Sequence, residues 1–188
     1  KFPKKSALEV ILTMLHSGGK FSSKAYQTSG GLHGVGISVV NALSDTMTVE
    51  VARDNRLYKQ GFSRGVPTSK LLDMGAIKGR KGTTVTFHPD PEIFGKSLKF
   101  SPRQIHDLVR SKAYLFRGVE ILWSCDPELL GADSKIPAKQ TFHFPNGLLD
   151  FLSRELENQQ TLIPEAFYIQ ADLADKMGRV ECAVSWLS

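Results

Sequence analysis

The residues of this chain best suited to chemistry form a glycine-rich stretch, Ser29-Gly30-Gly31-Leu32-His33-Gly34-Val35-Gly36, which runs into an apolar segment ending at Leu43. Glycine lets the backbone adopt positive φ and approach a ligand without a Cβ in the way, so successive N–H groups can point at the same oxygen atoms. A helix that begins here adds unpaired first-turn N–H donors and the positive end of its dipole. These residues predict a site for a phosphate group.

The spacing of the glycines separates this stretch from two well-known phosphate motifs. The order is Gly31-x-x-Gly34-x-Gly36, whereas a dinucleotide fingerprint needs G-x-G-x-x-G after a strand. The run Gly95-Lys96-Ser97 has Asp90 where a P-loop needs its first glycine. Taken alone, the glycine pattern is also consistent with a simple turn before a helix.

Two helices must flank the stretch. Before it, apolar residues at helical spacing predict a helix from Ser6 to His16, with Ser6 as its N-cap and Gly18-Gly19 after its end. After it, Gly36, Val39, Val40 and Leu43 fall on one stripe of a second helix. Lys20 lies on the loop between the helices, where its ammonium group can meet a phosphate or can simply face solvent.

Alternating residues after the second helix predict strands. Residues 47–51 and 57–62 form a hairpin around an Asp54-Asn55 turn, and Thr68 to Asp73 is a candidate further strand. In the strand from residue 82 to residue 87, Thr83, Val85 and Phe87 share one face, and an inward threonine hydroxyl on that face needs a partner.

The second half of the chain repeats the mixture of helix and strand. Ser101-Pro102-Arg103-Gln104 is a strong helix start, and Asn146 is the expected cap of a helix from about Gly147 to Glu157. Strands are predicted over residues 119–123 and 140–144, followed by a hairpin over residues 167–171 and 180–186 around a turn at residues 176–178.

Composition limits the class of protein. A chain of 188 residues with 41% hydrophobic content is globular, and it has no apolar run of the roughly 20 residues that a membrane helix needs. Cys125 and Cys182 are isolated, so neither a disulfide framework nor a zinc site is predicted. Residues 1–117 carry a net charge of +11 and residues 118–188 a net charge of −6. The basic part suits a polyphosphate or DNA.

The motifs together resemble the ATP-lid region and following segments of the B subunits of the bacterial type IIA DNA topoisomerases. The resemblance covers essentially the whole chain, and Tyr26-Gln27, Ile37-Ser38 and Lys112-Ala113 are more like topoisomerase IV than gyrase. The segments that carry it are His16-Ser17-Gly18-Gly19-Lys20-Phe21, Tyr26, Ser29 to Leu43, Gly65-Val66-Pro67, Gly82-Thr83-Thr84-Val85-Thr86-Phe87 and Gly118-Val119-Glu120-Ile121.

The resemblance implies an α+β fold, a two-layer sandwich. Residues 1–148 are expected to be part of a GHKL-type ATPase domain with a mixed sheet covered by helices. Residues 149–188 are expected to begin a transducer domain like ribosomal protein S5 domain 2, cut off at its second strand. The chain is therefore expected to be a fragment of a cytoplasmic topoisomerase subunit that hydrolyses ATP.

The resemblance also implies ligand contacts. In the family the main chain of the glycine-rich stretch holds the phosphates of ATP, and the residue that matches Thr83 lies at the adenine. Lys59 matches a basic residue at the mouth of the pocket, although its interpretation as a solvated strand residue is at least as good. The expected contacts are Lys20, Tyr26, Gly30, Gly31, Leu32, His33, Gly34, Val35, Gly36 and Thr83.

No catalytic residue and no metal ligand are assigned to this chain. In the family the glutamate base and the asparagine that holds Mg²⁺ precede this segment, and the trigger lysine follows it, so the isolated segment is expected to be inactive. The implied partners are DNA, the topoisomerase A subunit in an A2B2 heterotetramer, and a second B subunit on ATP binding. The alternatives are another GHKL ATPase, such as a MutL-like repair protein or a histidine kinase, and a non-hydrolysing phosphate-binding module.

Overall fold

The computed structural model describes residues 5–17, 34–131, 134–173 and 178–188. The chain divides into two compact units, Lys1–Leu98 and Lys99–Ser188. Helices and antiparallel sheets occur in both units, which confirms the predicted α+β class. The domain boundary predicted after residue 148 stays a prediction.

The first unit is built on a five-stranded antiparallel sheet with the strand order β3-β2-β1-β5, in which β4 also pairs with β2. Two helices precede the sheet in the chain, and a short helix follows its last strand. The elements are α1 (Ala7–Thr13), α2 (Gly36–Ala42), β1 (Ser44–Arg53), β2 (Arg56–Ser63), β3 (Val66–Pro67), β4 (Leu72–Ala76), β5 (Gly82–Pro89) and α3 (Pro91–Phe94).

The β1–β2 hairpin is confirmed with its predicted turn. Arg53 pairs with Arg56, and the two residues between them, Asp54 and Asn55, have φ values of 52° and 59°. A two-residue turn with positive φ at both positions matches the right-handed twist of the strands, and Asp and Asn tolerate that conformation better than most residues.

Helices α1 and α2 pack on one face of this sheet. The buried core consists of Leu12 from α1, Met47 and Val49 from β1, and Phe62 from β2, with Leu8, Ile37, Val40 and Val51 packed around it. The three β1 residues of this group are each two positions apart, as one face of a pleated sheet requires.

The buried face of α2 differs from the predicted stripe. Val39 and Leu43 are 42% and 37% exposed, whereas the polar residues Ser38 and Asn41 are buried. The hydroxyl of Ser38 donates to the carbonyl of Val35, and the side-chain amide of Asn41 donates to the carbonyl of Leu12. These hydrogen bonds pair the Ser38 hydroxyl and the Asn41 amide nitrogen, while the buried Oδ1 of Asn41 has no hydrogen-bond partner among the described residues. Such contacts cannot be predicted from hydrophobic periodicity.

Two other predicted boundaries in this unit were wrong. Helix α1 ends at Thr13, three residues before His16, because Met14 already has an extended conformation. The predicted strand at Thr68 to Asp73 is displaced to Leu72–Ala76. Residues 68 and 69 instead lie beside β2, where the Thr68 N–H donates to the Gly61 carbonyl at 2.9 Å and the Gly61 N–H donates to Oγ of Ser69 at 3.0 Å.

Two α-helices and two antiparallel hairpins form the described part of the second unit. Its buried core is formed by Ala113, Trp123 and Phe142, which come from α4, β6 and β7. Ser101 caps α4 as predicted, since its Oγ accepts from the Gln104 N–H at 3.4 Å. The elements are α4 (Pro102–Leu115), β6 (Glu120–Ser124), β7 (Lys139–His143), α5 (Leu148–Glu155), β8 (Phe167–Asp172) and β9 (Arg179–Val184).

The cap predicted for α5 was wrong. Gly147 occupies the N-cap position with a φ of 58° and no side-chain cap, and the backbone and side chain of Asn146 both donate to the carboxylate of Asp150. Asn146 therefore fixes the start of α5 from outside the helix. The β8–β9 hairpin is confirmed, although residues 176 and 177 of its predicted turn lie outside the described residues. No helix in the described ranges has the length and apolarity to cross a membrane.

Candidate phosphate-binding site

The described part of the predicted phosphate site lies at the start of α2. Gly34 has a φ of 61°, a left-handed conformation that glycine adopts without a Cβ penalty. Val35 follows as the N-cap, and no side chain makes a capping hydrogen bond there. The first turn of α2 thus begins without the side-chain acceptor that most helices use, and its N–H groups are suited to bind anionic oxygen atoms.

Gly34, Val35 and Gly36 are the members of the predicted phosphate set that the structure describes. They are contiguous, and a Cβ built on Gly36 would meet no atom within 4 Å. The other predicted contacts, Lys20, Tyr26, Gly30, Gly31, Leu32 and His33, lie outside the described residues.

Thr83 lies on β5, on the helix-bearing face of the sheet. It pairs with Val51, as Val85 pairs with Val49 and Phe87 with Met47, so the predicted common face is confirmed. The residue is nevertheless exposed. Because Thr83 is accessible to solvent on this otherwise apolar face, its hydroxyl group can hydrogen-bond to a ligand.

Lys59 lies on the opposite face of the sheet. It pairs with Glu50, and its Nζ is 3.6 Å from a Glu50 carboxylate oxygen. The other Glu50 oxygen accepts from Arg80 at 3.0 Å, and Arg80 also donates to Thr84 at 2.7 Å. This arrangement favours the interpretation of Lys59 as a solvated strand residue over a contact at the pocket mouth.

The far end of α2 is held by backbone hydrogen bonds that the sequence did not suggest. The carbonyl of Asn41 accepts from Gly65 at 3.1 Å, that of Leu43 from Asp90 at 2.9 Å, and that of Ser44 from Arg64 at 2.7 Å. These bonds join α2 and the start of β1 to the β2–β3 turn and to the end of β5. We call these six residues the α2 anchor.

The side chains of the anchor form an ion pair. Nε of Arg64 donates to Asp90 at 2.6 Å and Nη2 donates to its second oxygen at 3.2 Å. Asp90 is only 2% exposed, and it also accepts from the Glu92 N–H as the N-cap of α3. The N–H of Glu92 and the guanidinium of Arg64 lower the pKa of the Asp90 carboxyl below its ordinary value.

The sequence indicates the separate parts of the α2 anchor but not the contact between them. Asp90-Pro91 is a standard helix start, with a capping aspartate before a proline at the first helical position. Arg64-Gly65 forms the turn between β2 and β3, with φ values of 49° and 83°. Nothing in the sequence pairs residues 64 and 90, because that contact depends on the packing of the whole sheet.

The described residues contain no group of three or more His, Cys, Asp or Glu side chains arranged to hold a metal ion. The described part of the site offers backbone donors and the hydroxyl group of Thr83.

The curated proteins with high sequence identity to this chain are B subunits of DNA topoisomerase 4. The chain is 55% identical over 186 residues to the DNA topoisomerase 4 B subunit of Bartonella bacilliformis and 52% identical to that of Caulobacter vibrioides, covering 99% of the chain in both cases. Identity to the DNA gyrase B subunit of Chlamydia pneumoniae is 38% over 97% of the chain. The chain belongs to the B-subunit family of bacterial type II DNA topoisomerases. No family model matches it.

Within the B-subunit family, the chain is more similar to these topoisomerase IV proteins than to that gyrase protein. It spans 27% and 26% of the length of the Bartonella and Caulobacter relatives. Among solved structures, it resembles the 43K ATPase domain of Thermus thermophilus gyrase B in complex with an aminocoumarin, with a TM-score of 0.69 and 33% identity over 92% of the chain and 41% of that domain. This match confirms an ATPase-domain fold of the GHKL type.

Proposed function

We propose that this chain supplies the phosphate-binding part of the ATPase region of a B subunit of the topoisomerase IV type. The observation that carries the proposal is the 0.69 TM-score to the gyrase B ATPase domain over 92% of the chain, at 33% identity. The substrate is ATP, and its hydrolysis drives the passage of one DNA duplex through another. The identity to topoisomerase subunits over 99% of the chain favours this function over a histidine kinase or a MutL-like repair protein.

The main-chain amides of residues 30–36 hold the phosphates in this proposal. The positive φ of Gly34 and the start of α2 without a side-chain cap support it, because first-turn N–H groups have no intrahelical acceptor and can bind a phosphate. Lys20 adds a cation to the phosphate end, and Tyr26 adds a further contact. The exposed hydroxyl of Thr83 contacts the adenine.

These groups can orient ATP and stabilise charge that develops on the γ-phosphate. Fixed N–H dipoles are effective for this task because they need no reorganisation during the reaction. Mg²⁺ supplies charge neutralisation between phosphate oxygens when bound, and its ligands are proposed to lie outside this chain. The general base for water is likewise assigned to a part of the whole protein outside residues 1–188.

The partners proposed for the whole enzyme are DNA and the topoisomerase A subunit, in an A2B2 assembly whose B subunits dimerise when ATP binds. Residues 1–98, the first unit, carry 14 Lys and Arg against 7 Asp and Glu, and this net charge of +7 supports a polyanionic ligand or partner near that unit. The enzyme is proposed to act in the cytoplasm.

The proposal is tested with the complete B subunit that contains this sequence, reconstituted with its A-type partner. We expect ATP-dependent relaxation or decatenation of DNA, and we expect Gly34→Ala to reduce ATP hydrolysis about tenfold, because alanine at positive φ strains the loop and adds a Cβ beside the phosphates. Gly118→Ala is the matched control, since Gly118 has a φ of 80° with no atom within 4 Å of an added Cβ. Equal activity of the two variants would contradict the assignment.

A further inference from the structure

Arg64 has an unusual backbone conformation for its residue type. Its φ is 49°, in the left-handed region that arginine seldom adopts, and Gly65 follows at 83°. A left-handed non-glycine residue persists only where its surroundings determine it. Here the surroundings are the hydrogen bond from Arg64 N to the Ser44 carbonyl, the bidentate contact with Asp90, and the contact of Nη2 with the exposed Glu92 carboxylate at 2.8 Å.

Asp90 depends on Arg64 in turn. Its carboxylate is almost fully buried, and the protein groups that bind it are Nε and Nη2 of Arg64 and the N–H of Glu92. Loss of the guanidinium group would leave a buried carboxylate with one donor, which is an unfavourable state. The ion pair therefore holds the β2–β3 turn and the end of β5 in one arrangement.

The elements joined at this point carry the two ends of the proposed nucleotide site. Asp90 follows β5, the strand that bears Thr83, and its backbone N–H donates to Leu43 at the end of α2, the helix whose first turn bears Gly34 and Gly36. Asn41 adds a further bond from the same end of α2 to the carbonyl of Leu12 in α1.

We propose that the Arg64–Asp90 ion pair is a positioning device that sets α2 relative to β5, and so fixes the spacing between the phosphate and adenine contacts. This inference rests on the proposed function. Neither side chain touches the nucleotide. Both act through α2, which is anchored at its last turn and free of side-chain caps at its first.

A small movement at the anchored end has a large effect at the open end. Seven residues of helix span about 10 Å, so a tilt of roughly 10° about the last turn moves the first amides by about 2 Å. Hydrogen bonds to phosphate tolerate a range of about 0.5 Å. A ligand that engages both ends is therefore sensitive to the ion pair, whereas a ligand that engages only β5 is not.

The test compares a non-hydrolysable ATP analogue with adenosine, both titrated into the intact B subunit in calorimetric experiments. Asp90→Asn is expected to weaken binding of the analogue about tenfold and to leave adenosine within about twofold. Arg64→Lys keeps the positive charge beside Asp90, so it is expected to weaken binding of the analogue less than Asp90→Asn does. Arg64→Gly removes the ion pair and also relieves the left-handed strain, so it tests the same loss in a variant whose backbone is not strained.

Asp73→Asn is the matched control. Asp73 accepts from Nε of Arg56 at 2.8 Å, an exposed arginine–aspartate pair between β2 and β4 of the same unit. Asp73→Asn is expected to leave the affinities for the ATP analogue and for adenosine unchanged. Unaltered binding of the analogue by Asp90→Asn and Arg64→Gly, or an equal loss for both ligands, would overturn the inference. Wild-type protein that binds neither ligand would instead overturn the proposed function.

Discussion

The two ends of α2 are built in opposite ways. At the first turn, Gly34 is left-handed and the side chain of Val35 makes no capping hydrogen bond. At the other end, the carbonyls of Asn41, Leu43 and Ser44 accept from the N–H groups of Gly65, Asp90 and Arg64, which lie elsewhere in the unit. The first N–H groups of a helix have no intrahelical partners, so a first turn without a side-chain cap is suited to bind a ligand.

This difference shows how a short helix can present a binding surface. A helix of seven residues has little intrinsic stability, because nucleation is costly and few hydrogen bonds follow. Hydrogen bonds from other elements to the end of α2, and the packing of Ile37 and Val40 on the core, stabilise the helix. The first turn is thereby held in place without any bond of its own to a side-chain cap.

The largest expected effect comes from removing the core below the anchor. Phe62 is 1% exposed, pairs with Met47 and lies two residues before Arg64, so Phe62→Ala leaves a cavity there. We expect the opening free energy of β1, measured by native-state hydrogen exchange of the intact protein, to fall by about 3–5 kcal/mol.

The control for Phe62→Ala is Val39→Ala on the outer side of α2. Val39 is 42% exposed, so its truncation is expected to change the same opening free energy by less than about 1 kcal/mol. Similar losses for the two variants would mean that the anchored end does not depend on this core.

Replacing glycine by alanine is expected to lower stability at the anchored end of α2 and to raise it at the first turn. Gly65→Ala forces alanine to a φ of 83°, with its Cβ 3.5 Å from Cα of Ala42, and should destabilise the unit by about 1 kcal/mol. Gly36→Ala adds a methyl group in open space inside a helix and should stabilise it by about 0.5–1 kcal/mol. Hydrogen exchange of α2 measures both, and changes of the same sign would contradict the comparison.

The smallest effect is the pH dependence of the anchor. Because its hydrogen bonds lower the pKa of Asp90 below 3.8, its ionised form contributes stability that is fully present above that value and is lost as the pH falls through the lowered folded-state pKa. The difference in melting temperature between wild type and Asp90→Asn should therefore be constant from about pH 5 to pH 8 and shrink below about pH 4. A difference that varies through neutral pH would point to another titrating group.

The sequence predicted the elements whose signals are local. The Asp54-Asn55 turn, the Ser101 cap and the alternation of Thr83, Val85 and Phe87 each act within a few residues, and all three were confirmed. The same locality misled the prediction at Asn146, because the left-handed conformation of Gly147 took the cap position and left Asn146 to donate to Asp150.

The anchor could not be predicted because its contacts join distant residues. Arg64 and Asp90 are 26 residues apart, and Asn41 and Leu12 are 29 apart. The burial of Asn41, whose side-chain amide donates to Leu12 in α1, also shifted the buried face of α2, so that Val40 of the predicted stripe packs on the core while Val39 and Leu43 are exposed. At the candidate site, Gly34 to Gly36 were predicted from the glycine spacing together with the family resemblance, whereas the contacts that hold the far end of α2 required the fold.

The central claim is that the main-chain amides at the first turn of α2 hold the phosphates of ATP. The most direct measurement is a crystal structure of the complete B subunit that contains this chain, in complex with a non-hydrolysable ATP analogue. We expect N–H groups of residues 34–36 within about 2.7–3.2 Å of phosphate oxygens, with the Arg64–Asp90 pair intact. An analogue whose phosphates are held only by side chains, with the amides of residues 34–36 bonded to other protein groups, would contradict the account.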